Sequence, residues 1–112
     1  MADPWQSCRR ILAESSQSFD WASRLLSREQ RDEIAALYAF CRRCDDAIDL
    51  APAARHHEIL AALRARLEAV YRGEPARDDV EACFARVVAR RRIPIEYPRA
   101  LLDGMQMDVD AA

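Results

Sequence analysis

The sequence predicts an all-α fold, and three of its features support that prediction. Apolar residues recur three and four positions apart through most of the chain, which is the spacing of one face of a helix. Only 2 of the 112 residues are glycine, while alanine is abundant, and this composition favours helix. No stretch alternates apolar and polar residues as a half-buried strand does. We therefore expect about six helices and no strands, within one domain at most.

The first helix is predicted to run from Pro4 to about Ser15. Asp3 is a suitable N-cap, and proline suits the first helical position. The serine-rich segment 15–18 predicts a short loop, because serine hydroxyls compete for backbone hydrogen bonds. Ser18 is then expected to cap a short second helix, and capping alone is a sufficient explanation for these serines.

The longest helix is predicted to follow a capping box at residues 27–30 and to end near Leu50, before Pro52. A fourth helix is predicted over about residues 53–72. A fifth is expected to begin at Asp78 or Asp79 and to end in the basic triplet 90–92, which complements the helix dipole.

The sixth helix is predicted to begin around Pro98. It contains four large apolar residues, Leu101, Leu102, Met105 and Met107. These residues can form one apolar face of the helix.

The longest helix carries two neighbouring stripes of side chains, because successive residues are turned by about 100°. One stripe is apolar and consists of Ile34, Leu37, Cys41, Cys44 and Ile48. The other consists of Tyr38, Arg42, Asp45 and Asp49. Two carboxylates at positions i and i+4 share a face with an arginine and a tyrosine. They are expected to line the edge of a cavity or groove, where they would suit a divalent metal ion and a phosphate.

A simpler interpretation of these acidic residues is a solvated helix face. Like charges at i and i+4 repel by a few tenths of a kcal/mol, and Asp46 adds to that repulsion. Arg42 and Arg43 offset part of it as ordinary partners within the helix. Spacing alone therefore does not establish a metal site.

The cysteines and histidines are explained without metal or redox chemistry. Cys41 and Cys44 form a Cys-x-x-Cys motif in mid-helix, whereas redox motifs of this type are expected at a strand–helix junction. His56 and His57 do not complete a zinc site at the usual spacing, and we expect them to face solvent. Packing of the two thiols in the core is the preferred interpretation.

The composition argues against one functional class, and the sequence shows no targeting signal. The 19 acidic and 17 basic residues leave a net charge of −2, which argues against a dedicated nucleic-acid-binding protein. No signal peptide or membrane-spanning run is evident, so a reducing cytoplasm is expected.

Four segments together resemble the phytoene/squalene synthase family, and the similarity runs in order through nearly the whole chain. The segments are Ser16-Gln17-Ser18-Phe19, Ala36 to Arg42, Asp45-Asp46-Ala47-Ile48-Asp49, and Leu101 to Asp108. The resemblance implies an all-α isoprenoid-synthase-type bundle, of which residues 1–112 would be the N-terminal part of a single helical prenyl synthase domain. Members of this family are transferases that join two prenyl diphosphates head to head.

The resemblance also implies roles for individual residues. Asp45 and Asp49 would hold Mg²⁺, with Mn²⁺ as an alternative, and Arg42 and Tyr38 would contact the substrate diphosphate. Ser16 and Ser18 would donate hydrogen bonds to phosphate oxygens, with Ser15 and Gln17 beside them; some members carry histidine at the position of Ser15. The substrate would be geranylgeranyl or farnesyl diphosphate, and NADPH would be required only by a squalene-type enzyme.

The family's second aspartate-rich helix has no counterpart in this sequence. We therefore expect the bundle to be incomplete and this chain alone to be inactive, and a partner chain is one possible source of the rest. A non-catalytic family paralogue such as an assembly factor, or a gene remnant, is the alternative. Lipidic substrates leave peripheral membrane association open.

Overall fold

The computed structural model describes residues 3–111, and these residues form six α-helices and no strand. The helices are α1 (Pro4–Ser15), α2 (Gln17–Ser23), α3 (Arg28–Asp49), α4 (His56–Tyr71), α5 (Asp79–Arg90) and α6 (Glu96–Ala111). A 3₁₀ turn over Ala53–Arg55 precedes α4. The predicted all-α class is therefore confirmed. None of the helices in this part of the chain is both long and apolar enough to cross a membrane.

Local capping signals set most of the helix starts as predicted. The side chain of Asp3 accepts a hydrogen bond from the Trp5 amide, and Asp78 does the same for the Glu81 amide. At the start of α3 the capping box is complete, since the Ser27 hydroxyl accepts from the Gln30 amide. These bonds satisfy amides that have no partner within the helix.

The start of α2 differs from the prediction. Ser16, and not Ser18, is the N-cap, and its hydroxyl accepts a hydrogen bond from the Phe19 amide at 3.3 Å. The predicted loop over residues 15–18 is reduced to this single residue between α1 and α2. Ser16 is the one residue of the segment with an extended backbone, φ −152° and ψ 95°, which is the conformation a cap requires.

Two further helix starts were predicted slightly wrongly. The α-helical part of α4 begins at His56, because Ala53–Arg55 form a 3₁₀ turn. His56 is half-buried and its Nε2 lies 3.0 Å from the Ala51 carbonyl oxygen, so the prediction that it faces solvent was wrong. The last helix begins at Glu96, two residues before Pro98. Proline is tolerated there because the first-turn amides lack helical acceptors.

Helices α1, α3 and α5 pack against one another and form the centre of the molecule, and α4 and α6 pack together beside them. The core includes three buried cysteines, Cys8, Cys44 and Cys83. Phe40 of α3 and Phe84 of α5 stack with ring centroids 3.8 Å apart. The faces that meet in this core decide which side of α3 remains outside.

The buried face of α3 differs from the predicted apolar stripe. Cys44 and Ile48 are buried as expected, but Ile34, Leu37 and Cys41 are only half-buried. The fully buried positions in the first half of the helix include three alanines, Ala35, Ala36 and Ala39. The buried face of α3 therefore consists of these alanines together with Phe40, which stacks on Phe84 of α5, while the larger apolar residues Ile34, Leu37 and Cys41 lie at its margin.

Ion pairs between helices hold the ends of this core. Arg91, the residue directly after α5, makes two hydrogen bonds to the buried carboxylate of Glu33 in α3, at 2.9 and 2.5 Å. Arg66 of α4 makes a similar pair of bonds to Glu81 of α5, at 3.0 and 2.6 Å. The basic end of α5 therefore has a specific tertiary partner in addition to the helix dipole.

Candidate functional site

Four of the predicted site residues lie along one strip of α3. Arg42, Asp45 and Asp49 are exposed, and Tyr38 is half-buried. They are spaced three and four residues apart within a helix of 22 residues, which places them on one face. The helix interior gives these side chains a rigid base.

Asp45 and Asp49 differ from most other carboxylates of this protein in their partners. Within residues 3–111, neither makes an ion pair. Arg42 pairs instead with Asp46, one turn further along the helix, at 3.3 Å. Arg43 pairs with Asp78 at the start of α5, at 2.6 Å. The two carboxylates of the predicted metal site therefore keep their oxygens free for a ligand.

The thiols next to Asp45 are held in their protonated form. Burial raises the pKa of Cys41, and the negative charge of Asp45 raises it further. Burial, followed by the charges of Cys41 and Asp45, raises the pKa of Cys44 to about 12. Both cysteines are free thiols. A protonated, shielded thiol is a poor nucleophile, so these residues serve packing.

Tyr38 is positioned by an aromatic contact from α2. The rings of Phe19 and Tyr38 are stacked, with centroids 5.8 Å apart and an interplanar angle of 29°. Phe19 remains 45% exposed, so the stack forms part of the surface. Sequence reasoning assigned Phe19 no role, although its place directly after the serine motif was a signal for one.

Ser15 shares a cleft with Arg42, a neighbour that the sequence did not predict for it. Both residues line a cleft of about 450 Å³ between the end of α1 and the second half of α3. Asp46 lines the same cleft and holds the arginine. The structure therefore brings Ser15 and Arg42 together, although they are 27 positions apart in the chain.

The other predicted phosphate contacts are arranged differently. Gln17 and Ser18 are exposed on α2 and line a separate cleft that includes Trp21 and Arg24 but no residue of α3. Ser16 is half-buried and is occupied in capping α2. Ser15 thus shares a cleft with Arg42 alone among the strip residues, whereas Gln17 and Ser18 line the separate cleft on α2.

An apolar groove of about 270 Å³ runs beside the acidic strip. It is lined by side chains from three helices and the turn before α6: Leu37, Phe40, Cys41, Phe84, Val88, Ile93, Tyr97, Pro98 and Leu101. Cys41 of this lining lies one helical turn before Asp45, at positions i and i+4 of α3. Side chains of α5 and α6 supply parts of this groove that the sequence of α3 did not reveal, and whether it serves as the apolar wall of the predicted site stays a prediction.

The donor set at the strip is incomplete for a closed metal site. No group of three or more histidine, cysteine, aspartate or glutamate side chains within residues 3–111 is arranged to hold a metal ion. Two free carboxylates on one helix face fit instead an ion such as Mg²⁺ that takes one or two carboxylates and completes its shell with water and phosphate oxygens.

Comparison with known proteins agrees with these features. The squalene/phytoene synthase family model matches residues 12–112. The phytoene synthase of Rhodobacter capsulatus is 40% identical over 104 residues, which cover 92% of this chain and 31% of the relative. Phytoene synthase 1, chloroplastic, of Arabidopsis thaliana is 35% identical over 111 residues, covering 97% of this chain and 26% of the relative. No solved structure gives a significant match.

The phytoene synthase of Cereibacter sphaeroides is similar to the same extent, at 39% identity over 110 residues and 31% of its own length. The chain thus spans about a third or less of the length of these relatives. The family match covers nearly all of the chain. The chain belongs to the squalene/phytoene synthase family.

Proposed function

We propose that this chain forms the part of a head-to-head prenyltransferase that carries the first aspartate motif and binds a prenyl diphosphate with Mg²⁺. The observation that supports this best is the pair Asp45 and Asp49, free of arginine partners on an exposed helix face. An apolar groove begins one helical turn away, where Cys41 lines it at position i−4 from Asp45. Such a surface suits a ligand with a charged head and a hydrocarbon tail.

The polar residues around the strip suit the diphosphate. Asp45 and Asp49 would supply carboxylate oxygens to Mg²⁺, which when bound stabilises the negative charge that develops on a departing diphosphate. Arg42 would turn from Asp46 to a phosphate oxygen. This exchange is made easier by solvent, since the side chain of Arg42 is 46% exposed and that of Asp46 is 42% exposed. Tyr38 and Ser15 would donate hydrogen bonds from either side. Gln17 and Ser18 reach the same ligand only if α2 shifts.

The apolar groove suits the prenyl chain. Its walls carry almost no polar surface, because apolar side chains of α3, α5 and α6 make up most of the lining. An apolar wall excludes water from an allylic cation, which water would otherwise capture. The arrangement therefore separates the polar residues that would bind the diphosphate from the apolar groove that would hold the hydrocarbon chain.

The relatives support a proposal for the substrate and for the remaining parts of the enzyme. The relatives named above are phytoene synthases, which favours geranylgeranyl diphosphate as substrate over farnesyl diphosphate and carotenoid over squalene biosynthesis. We propose that catalysis also needs the family's second aspartate-rich helix, which these 112 residues do not contain. A cytoplasmic location, with peripheral contact to membranes that hold the lipidic substrate, suits this activity.

Binding of inorganic diphosphate with and without Mg²⁺, measured by isothermal titration calorimetry, tests the proposal. Asp45→Asn and Asp49→Asn should each weaken the Mg²⁺-dependent binding by about tenfold, because each removes a charged ligand. Asp46→Asn is the matched control, since it removes one charge from the neighbouring carboxylate, which is paired with Arg42. Because it also frees Arg42, it should keep or strengthen the binding of diphosphate.

Retention of Mg²⁺-dependent binding in the control and its loss in the two variants would support the proposal. Equal affinities in all three variants and in the unsubstituted chain would contradict it. Absence of any Mg²⁺-dependent binding to the unsubstituted chain would favour a non-catalytic family member instead.

A further inference from the structure

The connection between α3 and α4 begins directly after Asp49, which is the last residue of α3. It continues through a turn and the 3₁₀ segment Ala53–Arg55 to His56, the first residue of α4. Helix ends fray, so Asp49 is less firmly held by its own helix than Asp45, which lies one turn further in. The order of the Asp49 side chain therefore depends on what holds this connection.

Apolar contacts do little to hold the connection. The nearest buried side chain before it is Ile48, and the nearest after it is Leu60. Leu50, which directly follows Asp49, is 83% exposed. Residues 52–55 are all exposed as well. The connection therefore has no buried side chain of its own that would fix it to the core.

The backbone hydrogen bonds of the connection are local. The amides of Leu50 and Ala51 donate to the carbonyl oxygens of Asp46 and Ile48 in α3, at 3.0 and 3.1 Å. A further bond of 2.9 Å closes the turn over residues 52–55. Each bond joins residues three or four positions apart, so none of them ties the end of α3 to the body of α4.

His56 makes the one side-chain hydrogen bond that spans this connection in the described part of the chain. Its Nε2 lies 3.0 Å from the Ala51 carbonyl oxygen. A carbonyl oxygen only accepts, so Nε2 carries the proton and donates. His56 is half-buried on α4, and Leu60 one turn later is fully buried. The bond thus fastens the turn after Asp49 to a helix that is anchored in the core.

We propose that His56 is a positioning residue for Asp49, an inference that rests on the proposed function of Asp45 and Asp49 as ligands of Mg²⁺. By holding the Ala51 carbonyl, His56 keeps the last turn of α3 closed and the Asp49 carboxylate in register with that of Asp45. Mg²⁺ demands a narrow ligand geometry, so a helix end that is ordered in advance lowers the cost of binding. His56 itself is not a ligand in this proposal.

Amide hydrogen exchange measured by NMR in EDTA tests the order of the turn without any metal. His56→Ala should speed the exchange of the Leu50 and Ala51 amides by about fivefold, because a hydrogen bond that stabilises the turn is lost. His56→Gln retains a side-chain N–H donor and should restore part of the protection. Unchanged exchange of both amides in His56→Ala would overturn the proposal.

His57→Ala is the matched control, since it makes the same replacement at the next position. The side chain of His57 is 68% exposed, and its Nδ1 lies 4.0 Å from the nearest oxygen of Asp110. The control should leave the exchange rates of the two amides unchanged. An equal acceleration in His56→Ala and His57→Ala would overturn the proposal. Circular dichroism would verify that each variant is folded.

Calorimetric titration with inorganic diphosphate and Mg²⁺ tests the effect on the site. His56→Ala should weaken the Mg²⁺-dependent binding by about fivefold, whereas His57→Ala should not change it. In the Asp49→Asn background, His56→Ala should have no further effect, because His56 acts through Asp49. In the Asp45→Asn background the effect should persist, since Asp49 is then the remaining carboxylate ligand.

Equal effects of His56→Ala in the unsubstituted, Asp45→Asn and Asp49→Asn chains would overturn the proposal, because a general loss of structure has that pattern. An unchanged affinity in His56→Ala, where Asp49→Asn weakens binding, would overturn it while leaving the proposed function intact. Absence of any Mg²⁺-dependent binding to the unsubstituted chain would contradict the proposed function itself, and this inference with it.

Discussion

Replacing Leu102 by alanine should remove most of the attachment of α6 to the rest of the molecule. Leu102 is fully buried, and it is the one buried residue of α6. Leucine-to-alanine changes in cores cost about 2–5 kcal/mol, and the low end is reached where neighbours relax into the space. The rest of α6 is at least partly exposed, so we expect a loss of about 3 kcal/mol. That is a large fraction of the roughly 5–15 kcal/mol that stabilises a domain.

Urea unfolding followed by far-UV circular dichroism measures this loss. Met107→Ala is the matched control on the same helix, because Met107 is 71% exposed and its removal should change the free energy of unfolding by less than about 0.5 kcal/mol. Leucine, methionine and alanine have similar helix propensities, so neither change acts through the helix itself.

Equal unfolding midpoints for Leu102→Ala and Met107→Ala would refute the reasoning, since α6 would then not be docked through this face. The outcome also bears on the candidate site. Tyr97, Pro98 and Leu101 of α6 form one wall of the apolar groove, so loss of docking should open the groove.

Two further predictions concern a helix cap and an ion pair. Ser16→Ala should lower the free energy of unfolding by about 1 kcal/mol, because Ser16 caps α2. Ser18→Ala should change it by less than about 0.5 kcal/mol. An equal effect of the two substitutions in urea unfolding would contradict the assigned cap. Hydrogen bonds from Arg66 hold the pKa of Glu81 below its ordinary value of 4.5. The unfolded chain therefore binds this proton more readily, so the stabilisation is present above pH 4.5 and is lost as the pH falls through the folded-state pKa. In urea unfolding between neutral and acid pH, Glu81→Gln should reduce this loss, and an unchanged pH profile would contradict the role of Glu81.

The positions and limits of the helices were largely evident in the sequence, because the signals that set them are local. The capping box after Ser27 and the proline at position 52 set the limits of α3. The cap of α2 was assigned to the wrong serine for a reason that is also local. Four consecutive polar residues offer several possible caps, and only the backbone conformation of Ser16 selects one.

The candidate site was predictable in part. The spacing of Asp45 and Asp49 placed both carboxylates on one helix face, and the structure leaves both without an arginine partner. The pairing of Arg42 with Asp46 was not predicted, since several partners lie within one turn of that arginine.

The sequence by itself determined the helical class, the order of the helices and the strip of polar residues on α3, since these depend on residues a few positions apart. The tertiary structure alone decided which side of α3 is buried, because that depends on how α1 and α5 pack against it. It also decided that α5 and α6 supply walls of the apolar groove. Contacts of this kind join residues tens of positions apart, and no local pattern encodes which of the available surfaces will meet.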